Sequence, residues 1–115
     1  MKQVIALLTA LFVFAMTGVA QVDISFQNEL QRSIDRGLDS LQKSQQEGGF
    51  WTNEDHPAVT AIVLVAYHGN PNKPKETPAW VTKAHDYLLK FTQPNGSIYV
   101  PGKGLANYNT ALSMM

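Results

Sequence analysis

The chain has 115 residues, nine Lys and Arg against nine Asp and Glu, and no cysteine. The lack of thiols excludes disulfides and thiolate zinc sites, and the lack of a basic run or a Lys- and Arg-rich face leaves no footprint for nucleic acid. A chain of this length forms one small domain with a modest core.

The first predicted element is a leader. Lys2 supplies a short positive stretch, Val4 to Met16 is apolar apart from Thr9, and Gly18-Val19-Ala20 places small residues where a signal peptidase cuts. Residues 1–20 thus read as a signal peptide, and the mature protein, starting at Gln21, as secreted or periplasmic. An uncleaved membrane anchor is the alternative, although the apolar run is shorter than the roughly 20 residues a span needs. With Lys2 removed, the remainder carries a net charge near −1.

An amphipathic helix is predicted over residues 24–46. Phe26, Leu30, Ile34, Leu38 and Leu41 recur at helical spacing, while Gln27, Gln31, Asp35 and Asp39 populate the other face. Gly48-Gly49 ends it. Asp55 is a suitable N-cap and Pro57 a suitable first-turn residue for a second helix, whose body from Ala58 to Tyr67 is apolar nearly all round. Such a helix is buried on most sides; a buried strand is the competing reading. After the turn-rich loop from Gly69 to Pro74, Thr77-Pro78 restarts a helix by the same device, with Trp80, Val81, Ala84, Tyr87, Leu88 and Phe91 on its apolar face. Pro94-Asn95-Gly96 stops it. Ser97 to Val100 suits a short extended piece, and Asn107 begins a fourth helix. Leu112-Ser113-Met114-Met115 falls inside an apolar helical pattern with no stop signal, as in a fragment of a longer protein.

The segments repeat. At an offset of 47, Ile34 meets Val81, Asp39 meets Asp86, Leu41 meets Leu88, Gln46 meets Gln93 and Gly49 meets Gly96; at an offset of 50, Thr60-Ala61-Ile62 meets Thr110-Ala111-Leu112. A period of this size marks a helical repeat array. Half-wetted and greasy helices alternate, which suits two concentric layers of a ring.

The segment containing Arg36, Gly37, Leu41, Gln45, Gly49 and Trp51 resembles the QW motif of squalene and hopene cyclases. Lys83, Ala84, Leu88, Gln93, Gly96 and Tyr99 form a worn second copy. The pairing of helix types also resembles the β-subunits of protein prenyltransferases. This resemblance implies an all-α fold of paired-helix repeats, an incomplete α/α toroid with hairpins at 24–69 and 77–115. It also implies a structural role for the motif residues. Physically, Gln45 can bond backbone groups left free at a neighbouring helix end, Trp51 can shield that amide, and Gly49 permits the sharp turn between them.

Catalytic machinery of that superfamily is missing. No Asp-x-Asp-Asp run occurs, and the prenyltransferase zinc set needs a Cys that is absent. The candidate binding residues are Asp55 and His56, at the mouth of the second helix, and Tyr108, near the start of the fourth. His68 lies more than ten residues from His56, too far to share a metal, and His85 sits beside Asp86 on the third helix. No metal or cofactor is implied. The expected function is an exported repeat scaffold, structural or binding, with an isoprenoid-like apolar ligand or a protein as its partner. The alternatives are a terpenoid cyclase or prenyltransferase-like enzyme with its acidic or metal motif beyond residue 115, and a polysaccharide-active (α/α) ring protein.

Overall fold

A computed structural model describes residues 23–115; the leader expected over residues 1–20 lies outside them. The described chain is all-helical, with α1 at Ile24–Ser44, α2 at Pro57–His68, α3 at Ala79–Leu89 and α4 at Ala106–Ser113. Residues 58–67 are therefore helix and not strand. The expected extended piece reduces to one antiparallel bridge, Thr92 to Ile98. No helix among the described residues is long and apolar enough to cross a membrane.

α1 starts where Asp23 accepts the backbone N–H of Ser25 at 2.9 Å, an N-cap that satisfies one of the free donors of the first turn. The helix stops two residues before the predicted end. None of its residues is fully buried. The predicted apolar stripe packs only in its later half: Leu38 and Leu41 lie against the core, whereas Phe26 and Leu30 are exposed.

α2 forms the centre of the packing and contacts both α3 and α4. Pro57 opens it as expected. The predicted cap is corrected: His56 holds the N-cap position with no side-chain bond, and the carboxylate of Asp55 pairs instead with Lys103 Nζ at 2.8 Å. The N–H of Ala58 is directed to Asn109 Oδ1 of α4 at 3.4 Å, so the acceptor for this helix end comes from a residue 51 positions along the chain. Local sequence could not supply that partner. Nor is α2 buried all round. Ala58, Ala61, Leu64 and Tyr67 face the core, while Ile62 and Val65 reach solvent.

α3 begins at Ala79 with Pro78 as its cap residue, so Thr77 does not cap it. Val81, Ala84 and Leu88, at spacings of three and four, are buried; burying a side chain such as Val81 or Leu88 is worth about 1.5–3 kcal/mol. α4, expected to be greasy and enclosed, buries only Asn109. Aromatic edges join the elements: Tyr67 meets Trp80 at 5.3 Å between ring centres, Trp80 meets Trp51 at 6.1 Å, and Tyr87 meets Phe91 at 5.0 Å. These near-perpendicular pairings set ring edges against ring faces, the arrangement the ring quadrupole favours.

Candidate functional site

Two features stand out: the turn after α1 and a cavity beside α2.

In the turn, Gln46 N–H donates to Phe50 O at 2.9 Å and Gly49 N–H to Gln46 O at 2.9 Å. Gly49 has φ of 91°, in the left-handed region where a side chain is strained. A Cβ there would also stand 2.5 Å from the backbone oxygen of Lys83, so the turn packs directly on the α3 backbone. Gln45 Nε2 donates to Gly49 O at 3.2 Å and to Trp80 O at 2.9 Å. A tie from this turn to α3 therefore exists, but its acceptor differs from the expectation. The free groups at the start of a helix are N–H groups; Trp80 O lies in the first turn of α3 and takes the amide on one of its two lone pairs.

Trp51 is the residue that serves a helix end. Its indole N–H donates to Leu41 O at 2.8 Å and approaches Ser44 Oγ at 3.2 Å. Leu41 is among the last four residues of α1, whose carbonyls lack intrahelical donors. Trp51 is 4% exposed, so one side chain fills the core and closes a helix end. Arg36 and Gly37 do not join this cluster: both are exposed on α1, and a Cβ on Gly37 would meet open space.

The turn recurs 47 residues on. Gln93 N–H donates to Ser97 O at 2.7 Å and Gly96 N–H to Gln93 O at 2.8 Å, with Gly96 at φ of 82°. The side chain of Gln93 binds within its own loop, to Phe91 O and Tyr99 O at 3.0 Å each.

The cavity, about 310 Å³, is walled by Leu64, Val65, Leu88 and Leu112, with His68 and His85 at its polar edge. The two Nε2 atoms stand 3.1 Å apart. Two imidazolium rings cannot make this contact, since each Nε2 would carry a hydrogen; one ring donates and the other accepts. Burial lowers the pKa of His85 below its ordinary 6.5, and nearby His68 lowers it further, partly offset by Asp86. This pair was not legible in the sequence. The two residues lie 17 positions apart, and only the packing of α2 against α3 brings them together.

Of the candidate binding residues, Asp55 lines a second cavity of about 280 Å³ with Glu54, Phe50 and Tyr87. The Tyr87 hydroxyl donates to Glu54 O at 2.6 Å. Burial, then the charges of Glu54 and Asp55, push its pKa up to about 12, so it stays a neutral donor. His56 is half-buried at the start of α2. Tyr108 is 53% exposed and lines neither cavity. No cluster of three or more His, Asp or Glu suited to a metal exists among the described residues.

Comparison with protein-family models, characterised proteins and solved structures finds no match to this chain.

Proposed function

We propose that the protein is an exported helical-repeat scaffold of the squalene-cyclase and prenyltransferase kind, whose hairpins at 24–69 and 77–115 build part of an α/α toroid and whose work is structural or ligand-holding. The observation that carries this reading is the recurrence, 47 residues apart, of one turn with the same pair of backbone hydrogen bonds. The residues of the QW-like segment support it further, since Gln45 ties the first hairpin to the second and Trp51 closes α1.

The cavity beside α2 supports an apolar ligand of the isoprenoid kind. Its wall is mostly aliphatic, which rewards removal of apolar surface from water and penalises hydroxyl groups that find no partner. Titration of the full chain with a fifteen-carbon isoprenoid alcohol, followed by tryptophan fluorescence, tests the reading. Saturable quenching is expected, weakened about tenfold by Val65→Trp, which narrows the cavity from its solvent side; tenfold corresponds to about 1.4 kcal/mol. Binding of an oligosaccharide with none of the alcohol would replace this reading with the polysaccharide one.

A further inference from the structure

His68 closes α2 and His85 stands midway along α3. Their ring centres are 5.4 Å apart and their Nε2 atoms 3.1 Å apart, so the nitrogens face one another across a narrow gap. Whenever neither Nε2 carries a proton, two lone pairs converge on that gap. Nitrogen ligands sit about 2.0 Å from a bound transition metal. At that distance the present separation fits a bent arrangement, and a linear one asks the rings to part by about 0.9 Å. Both residues are exposed, so their side chains have room for that adjustment.

The surroundings select among metals. Met115 lines the same cavity and brings a thioether; Ser113 lines it too, and its hydroxyl is buried without a partner. No carboxylate lines the cavity. The donors that line the cavity are neutral and its wall is largely aliphatic, which favours an ion of lower charge. Imidazole and thioether donors suit soft cuprous ion, which carries a single charge.

We propose that His68 and His85 together bind one cuprous ion, with the Met115 thioether as third donor, and that the ion fastens α2 to α3. This inference stands apart from the repeat kinship and needs no isoprenoid ligand.

Anaerobic titration of the purified full chain against bicinchoninate-bound cuprous ion tests it. One equivalent should pass to the protein and raise its melting temperature. His68→Asn and His85→Asn should each weaken uptake at least tenfold, with helical circular dichroism unchanged, while His56→Asn should leave uptake intact. X-ray absorption should show nitrogen and sulfur ligands, the sulfur signal vanishing in Met115→Leu. No uptake by the parent chain, or equal uptake after His68→Asn and His85→Asn, overturns the site. Zinc bound as tightly as cuprous ion overturns the choice of metal, and a sulfur signal unchanged in Met115→Leu overturns the third donor.

Discussion

The turn at residues 46–50 and the turn at 93–97 share their backbone hydrogen bonds but not their surroundings. In the first, Gly49 is buried and pressed against Lys83 O, Gln45 reaches across to Trp80 O, and Trp51 fills the core. In the second, a Cβ on Gly96 would meet nothing within 4 Å, and Gln93 bonds only its own loop. At the 47-residue offset, Gln45 corresponds to Thr92 and Trp51 to Ile98, so the long-reaching side chains have no counterpart. The chain reversal is a local property of the Gln-x-x-Gly pattern. The tie to α3 is added only where that helix backbone lies within reach.

The strongest way to break this comparison is to place a methyl group in each turn. Gly49→Ala combines left-handed strain with a clash against backbone and should cost about 3 kcal/mol or more, enough to unfold a marginal domain. Gly96→Ala meets the strain alone and should cost about 1 kcal/mol. Urea denaturation followed by circular dichroism reads both; similar losses would mean that the packing of Gly49 on α3 contributes nothing.

Removing the glutamine amides gives a smaller and sharper contrast. Gln45→Ala leaves the α1–α3 tie unmade in a half-buried setting and should cost about 1–2 kcal/mol. Gln93→Ala strips two part-buried bonds that hold only its own loop, for about 0.5–1 kcal/mol. A larger loss at Gln93 would reverse the assignment of which turn carries the tertiary load.

The smallest effect probes α3, the helix that receives the tie. Folded His85 has a lowered pKa, so the unfolded chain takes up its proton first. The stability this contributes is fully present above pH 6.5, the ordinary histidine value, and is lost as pH falls through the lower folded value. The urea midpoint should therefore decline slightly from pH 7.5 to pH 5, and His85→Asn should flatten the decline. A midpoint that rises on acidification would contradict the lowered pKa.

The candidate sites were unequally legible. Gln45, Gly49 and Trp51 could be singled out by their resemblance to the QW motif, and Gly49 also because a glycine turn between two apolar periodic segments is a local signal. Their partners were not, because Trp80, Lys83 and Leu41 become partners only after the chain reverses. Asp55 shows the opposite failure. It has the right chemistry and spacing for a cap, yet Lys103 takes its carboxylate and Asn109 serves the helix end. The His68–His85 pair had no local signal at all.

The sequence by itself determined the four helical segments of the described chain, the two glycine reversals and the 47-residue spacing between them, since these follow from periodicity, proline and glycine within a few residues. Tertiary structure alone decided that Asn109 would serve the start of α2, that Trp51 would close α1, that Ile62 and Val65 would stay in water, and that two histidines would meet. Short-range backbone preferences are written along the chain. A hydrogen-bond partner or a buried face depends on which distant surface arrives, and only the packing of whole helices settles that.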